Sequence, residues 1–255
     1  MKVLCTGDIH IGRRPSRLPS YIDSRPLSCA RQWEAIVDHA LAQRVDVVAL
    51  SGDVVDQANK YFEAMGPLER GLRRLGEAGV VTVAVAGNHD HDVLPQLARV
   101  LGADTFRLLG RGGEWERTTI AGRDGARLHV DGWSFPTEHV RDDPLASYAL
   151  PREGDVPVLG LLHGDLDAPA SAYAPLSLAL LRAHPVSLWL LGHVHAPALY
   201  ESAGAPPVLY PGSPQAMDPG EPGAHGVWIV ELGPGVQPQP RMVPLATVRY
   251  APLEI

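Results

Sequence analysis

Short apolar runs recur along the chain, and amphipathic stretches separate the first three of them. Met1 to Thr6 reads as a strand. From Leu27 to Gln43 the apolar positions Ala30, Trp33, Ile36, Val37, Ala40 and Leu41 fall on one helical face. Val45 to Ser51 is apolar and β-branched, as expected of a strand buried on both faces. Glu63 to Ala78 predicts a second helix with Met65, Leu68, Leu72 and Leu75 inward, although Gly66, Pro67 and Gly71 weaken it and Gly79 ends it. Val80 to Ala86 is a third buried strand. Strand and helix alternate through this part, which predicts parallel pairing with right-handed crossovers.

The pattern then changes. Glu116 to Ile120 and Ala126 to Trp133 alternate around the turn Gly122-Arg123-Asp124-Gly125, a hairpin signal. Val156 to His163 and Ser187 to Gly192 are buried strands on either side of a short helix, Leu176 to Ala183. Short strands follow around Ala198 to Glu201, Val208 to Tyr210, Val227 to Leu232 and Met242 to Arg249. The expected class is α/β: two packed mixed β-sheets flanked by helices. Residues 1–255 read as one domain, with an α/β core over 1–200 and a β-rich part over 201–255.

Five of the strands end in polar motifs: Asp8-Ile9-His10, Gly52-Asp53, Gly87-Asn88-His89-Asp90, His163-Gly164-Asp165 and Gly192-His193-Val194-His195. In open α/β sheets ligands bind beyond the carboxyl ends of the strands. Turn and cap chemistry accounts for an Asp or Asn after one strand, but not for an ordered set of five. Carboxylate and imidazole together suit Mn²⁺, Fe²⁺ or Zn²⁺ better than Ca²⁺ or Mg²⁺, and the lack of a thiolate argues against a structural zinc. Asp8, His10, Asp53, Asn88, His163, His193 and His195 are too many ligands for one ion and enough for two. Paired ions lie roughly 3.5–4 Å apart and need a bridging carboxylate, for which Asp53 is the natural choice. Such a pair acidifies a shared water and binds phosphate oxygens, the chemistry of phosphoester hydrolysis. His89 is then free to act on substrate, with Asp90 expected to orient it. Asp165 and Asp167 read as loop caps.

Composition limits the partners. A net charge of −7 excludes a wholly basic nucleic-acid-binding surface, yet Arg13, Arg14, Arg17, Arg25 and Arg31 crowd a segment directly after the first motif, with Asp23 the one acid among them. They could grip a phosphate backbone, and Tyr21 and Tyr173 could stack on bases. No apolar run reaches bilayer-spanning length, so no membrane partner is expected. The N-terminus carries no signal-peptide pattern, which points to a cytoplasmic location. The two cysteines, Cys5 and Cys29, form no disulfide framework.

In order and spacing the motifs resemble those of the calcineurin-like metallophosphoesterase superfamily: D-x-H, G-D, G-N-H-[DE], H and G-H-x-H, running from Asp8 to His195. The resemblance implies a double sheet flanked by helices and a dinuclear site, often of manganese. It implies Asp8, His10, Asp53 and His195 on one ion, Asp53, Asn88, His163 and His193 on the other, and His89 as the catalytic histidine. The segments DIHIGRRPSRLP, Tyr210 to Leu232 and PLATVRY further resemble the SbcD-type DNA repair exonucleases. That implies DNA as substrate, with Arg13, Arg14 and Arg17 on it and Ser213 or Gln215 touching it from a loop by the active site. Asp56 stands where some nuclease relatives carry a histidine that helps place DNA. It also implies a coiled-coil ATPase of the SMC-like kind as partner and leaves the oligomeric state open, a dimer included. In those nucleases a DNA-capping segment follows, and this chain stops at Ile255, about where the cap would start. The alternatives are a phosphodiesterase or phosphatase acting on a small nucleotide or phosphoester, and a non-catalytic scaffold, which a degraded motif would mark and none does.

Overall fold

A computed structural model describes residues 1–56, 64–103, 106–122 and 124–253. In chain order its strands are β1 (Lys2–Thr6), β2 (Val47–Leu50), β3 (Val81–Ala84), β4 (Phe106–Leu108), β5 (Glu116–Ala121), β6 (Arg127–Gly132), β7 (Val158–His163), β8 (Leu188–Gly192), β9 (Ala198–Tyr200), β10 (Val208–Tyr210), β11 (Gly226–Glu231) and β12 (Arg241–Pro244). The α-helices are α1 (Cys29–Ala42), α2 (Met65–Glu77), α3 (Leu94–Leu101) and α4 (Leu178–Ala183). The strands form two six-stranded sheets, ordered β12-β11-β1-β2-β3-β4 and β5-β6-β7-β8-β10-β9. Strands β1 to β4 run parallel, as do β6, β7 and β8.

The two-residue side-chain period explains the layering. Val3, Cys5, Val47, Ala49 and Val83 of the first sheet pack against Leu128, Val130, Leu159, Leu161, Leu188 and Leu190 of the second. The intervening residues Leu4, Val48 and Leu50 face outward and are covered by Trp33, Ile36 and Val37 of α1 and Leu68, Leu72 and Leu75 of α2. Leu162, Trp189 and Leu191 on the outer face of the second sheet meet Leu181 of α4. Both faces of the central strands are therefore buried, which is why these segments are apolar without interruption.

Gly71, which by propensity weakens α2, is where α1 and α2 touch. A Cβ there would lie 2.3 Å from Trp33 Nε1, and that indole donates to the Pro67 carbonyl at 3.0 Å. Two elements go beyond the sequence reading: α3, short and with only Leu94 and Leu97 buried, and the three-residue β4. The last strand stops at Pro244 rather than Arg249, and past it the Leu245 and Ala246 amides both donate to the one His225 carbonyl, at 3.1 and 3.2 Å, instead of extending a regular ladder. Glu63 and Arg123, read as the start of a helix and part of a turn, lie outside the described residues. Among the described residues no helix is long and apolar enough to cross a membrane.

Candidate metal centre

The loops that follow β1 and β2 are laced together by their backbones. The Asp8 amide donates to the Gly52 carbonyl and the His10 amide to the Asp53 carbonyl, both at 3.0 Å. Across the sheets, the His193 amide donates to the Asp8 carboxylate at 3.0 and 3.2 Å. Asp8, His10, Asp53 and His193 adopt φ values of 49°, 50°, 49° and 95°. Left-handed backbone at a non-glycine residue costs of order 1–3 kcal/mol and collects at functional sites.

Among the described residues, three groups of side chains each bring one donor atom apiece within 4.8 Å of the others: Asp8, His10 and His195; Asp53, His163 and His193; and His10, Asp56 and His89. Asp53, of the second group, also reaches toward the other two, its Oδ2 3.4 Å from His163 Nε2 and 3.9 Å from the Nε2 atoms of His10 and His89. Asn88 Oδ1 lies 3.1 Å from His163 Nε2 and 3.2 Å from His193 Nδ1. His10 Nε2 faces His195 Nε2 at 3.1 Å. The seven ligand candidates are thus brought together.

Burial alone would raise the Asp53 carboxyl, but the charges of His163, His10 and His89 outweigh it and hold it well below the usual carboxylate range. Burial alone would lower His163, and Asp53 outweighs it, raising the imidazole to about 9. His89 is lowered, chiefly by burial.

The site fits divalent cations on its own chemistry. Asp8 and Asp53 are buried carboxylates that, among the described residues, face imidazole nitrogens rather than a lysine or arginine. Nδ1 of His10 and Nδ1 of His89 are buried with no hydrogen-bond partner among the described residues. Oxygen and imidazole donors without thiolate suit Mn²⁺, Fe²⁺ or Zn²⁺.

The structure corrects several expectations. Asp90 does not orient His89. Its oxygens accept from the Gly87 amide at 2.8 Å, the Val54 amide at 2.6 Å and the Val55 amide at 3.3 Å, so it ties the loop after β2 to the loop after β3. Burial and the Asp53 charge raise its carboxyl to about 7. Ser213 and Gln215 are buried and turned away from solvent: Ser213 Oγ donates to Glu221 at 3.2 Å, and Gln215 Oε1 accepts from Thr247. Asp56 lies against His10 Nδ1 at 3.5 Å and Arg13 Nε at 3.8 Å. The arginine patch is thinner than its composition suggests, since Arg25 pairs with Asp23 at 2.9 Å and Arg31 with Glu34 at 2.6 Å. Arg14 and Arg17 are exposed. Tyr21 is exposed, whereas Tyr173 packs between His139 and His193.

Two carboxylates escaped the sequence reading. Glu221 Oε1 lies 2.7 Å from His195 Nδ1. Asp165, taken as a loop cap, stands 3.4 Å from His193 Nε2, while Asp167 does cap, accepting from the Leu178 amide. The only sequence sign of Glu221 is an acid inside a Gly- and Pro-rich turn, which is weak.

Comparison with known proteins agrees with this geometry. The sequence profile of the calcineurin-like phosphoesterase family matches residues 1–197. The chain belongs to that family. It is 28% identical over 204 residues to the uncharacterized metallophosphoesterase YhaO of Bacillus subtilis, covering 78% of this chain and 48% of that one. It is 26% identical over 262 residues to the DNA double-strand break repair protein Mre11 of Methanopyrus kandleri, covering 92% and 55%. The chain thus spans about half the length of the curated relatives it matches. The fold is shared with a dimetal phosphatase from Danio rerio, at a TM-score of 0.53 and 13% identity, over 94% of this chain and 98% of that one.

Proposed function

We propose that residues 1–255 form the catalytic domain of a dinuclear-metal-dependent phosphodiesterase acting on DNA. The observation that carries the reading is the place of Asp53, whose Oδ2 faces His163 on one side and His10 on the other. One carboxylate in that position can serve two ions. Asp8, His10, Asp53 and His195 would hold one, and Asp53, Asn88, His163 and His193 the other, with Mn²⁺ the proposed metal. Two such ions supply an acidified water and positive charge for the phosphate oxygens.

The remaining work falls to the chain's own side chains. His89 is the most exposed of the clustered imidazoles, its side chain 32% accessible, and its ring is fixed edge-on to His10 at 4.9 Å. It is placed to stabilise charge on the phosphoryl group or to give a proton to the leaving oxygen. Arg14 and Arg17, on the loop that leaves the first motif, would take flanking phosphates. Likeness to Mre11 supports DNA as the substrate class.

A second reading, a small phosphodiester, is favoured by the ion pairs that occupy Arg25 and Arg31 and by the acid Asp56 beside Arg13. The test is a turnover panel in Mn²⁺ with single- and double-stranded DNA, a cyclic nucleotide, and small mono- and diesters. DNA hydrolysis at rates matching or exceeding the small diester is expected. Fast diester turnover with only a trace on DNA would select the second reading. His89→Ala should keep its metal and lose about 10²–10⁴-fold in hydrolysis. A metal-loaded variant with full activity would remove His89 from the chemistry.

A further inference from the structure

Glu221 sits outside the 1–197 stretch that matches the family profile, in the turn between β10 and β11. Its two oxygens have different duties. Oε2 accepts from the Met217 amide at 2.8 Å and from Ser213 Oγ at 3.2 Å, which fixes the carboxylate in place. Oε1 lies 2.7 Å from His195 Nδ1. A hydrogen bond this short needs a proton between the two atoms, and an ionised carboxylate can only accept, so Nδ1 carries it. The other ring nitrogen, Nε2, is then the lone-pair nitrogen, and it is the one that faces His10 and the Asp8 group.

We infer that Glu221 is a positioning residue of the metal centre, fixing His195 in the tautomer that leaves Nε2 free to ligate. This rests on the proposed dinuclear site. Carboxylate–histidine–metal relays of this kind raise ligand basicity, and losing the outer partner typically costs 10–100-fold in metal affinity. The C-terminal β-rich part therefore braces a centre whose proposed ligands all come from the first 195 residues.

The isosteric variant Glu221→Gln separates this role from bracing of the loop. The Met217 amide can only donate, so the amide oxygen must stay at the Oε2 position. The NH₂ group then points at His195 Nδ1, which must accept, and the ring proton moves to Nε2, where it blocks ligation. The loop's bonds survive while the tautomer inverts.

The experiment is calorimetric titration of metal-free protein with Mn²⁺, with thermal unfolding of the same samples. Wild type should take two ions. Glu221→Gln should bind one of them 10–100-fold more weakly at an unchanged metal-free Tm, and Glu221→Asp should recover part of the loss. Two ions bound with wild-type affinity by Glu221→Gln would overturn the inference, as would loss of affinity only in step with a lowered metal-free Tm. Nitrogen-15 NMR of zinc-loaded wild type gives an independent check: His195 protonated on Nδ1 supports the inference, and protonated on Nε2 overturns it. Two bound ions without phosphodiester turnover would sink the proposed substrate and leave Glu221 judged on affinity alone, while wild type binding no ion would overturn both.

Discussion

The two donor groups are built by different means. Around Asp53 and His163 the support is backbone. His163 is fully buried, and its Nδ1 lies 2.9 Å from the Ser51 carbonyl. Gly52, Gly87 and Gly192 crowd it: a Cβ on Gly52 or Gly192 would lie 2.6 Å from His163 Nδ1, and one on Gly87 2.2 Å from Asp53 Oδ1. On the other side the His193 amide braces Asp8, but the two imidazoles are supported by side-chain carboxylates, Asp56 behind His10 and Glu221 behind His195. The His195 side chain keeps 24% of its surface accessible. One half of the centre is thus a property of parallel strand ends and their glycines. The other depends on a turn that arrives late in the chain.

Substitution of Asp53 has the largest expected effect, because the proposed centre places this carboxylate on both ions. Asp53→Asn should bring metal content from two ions toward none and cost more than about 5 kcal/mol of transition-state stabilisation, roughly 10⁴-fold in kcat/KM. Elemental analysis and steady-state turnover read both effects. One ion retained at wild-type affinity would mean that the halves are independent and that Asp53 belongs to only one of them.

The backbone-built half was the more legible in sequence. Its proposed ligands follow buried apolar runs whose ends can be read directly, and the glycines of Gly52-Asp53, Gly87-Asn88 and Gly192-His193 are part of the same short motifs. What those glycines do was not legible, because each makes room for a ring or carboxylate from another strand. The carboxylate-built half was legible only in its ligands. Glu221 is 26 residues from His195, and nothing local in a Gly- and Pro-rich turn says which imidazole it will meet. Asp90 misled for the opposite reason: it adjoins His89 in sequence, but its fixed partners are amides of two loops. Short α3 and β4 were missed because their pattern is too brief to show a period.

Gly192→Ala sharpens the contrast from the backbone side. The added Cβ would sit 2.1 Å from the Ser51 carbonyl oxygen as well as against His163, and backbone cannot yield as a flexible side chain can. Overpacking of this kind costs about 1–3 kcal/mol. The metal-free Tm should therefore fall, together with affinity for the ion on the Asp53–His163 side. Glu221→Gln should do the reverse, leaving the metal-free Tm alone. Equal Tm changes in the two variants would erase the distinction between a backbone-built and a carboxylate-built half.

Asp165→Asn is the finest test, because it asks whether any carboxylate near a ligand imidazole matters or only one in hydrogen-bond contact. Asp165 Oδ1 is 3.4 Å from His193 Nε2, its side chain is 26% accessible, and its other oxygen already accepts from Ser171 Oγ. His193 turns Nδ1, not Nε2, toward Asn88, so in the proposed centre it would ligate through the opposite nitrogen from His195. A partly solvated, longer contact is screened and worth little, about 0–1 kcal/mol. Asp165→Asn should therefore weaken Mn²⁺ binding by less than about 10-fold, well short of Glu221→Gln in the same titration. A loss as large as that of Glu221→Gln would show that charge near the imidazole, rather than a short bond choosing its tautomer, is what the outer carboxylates supply.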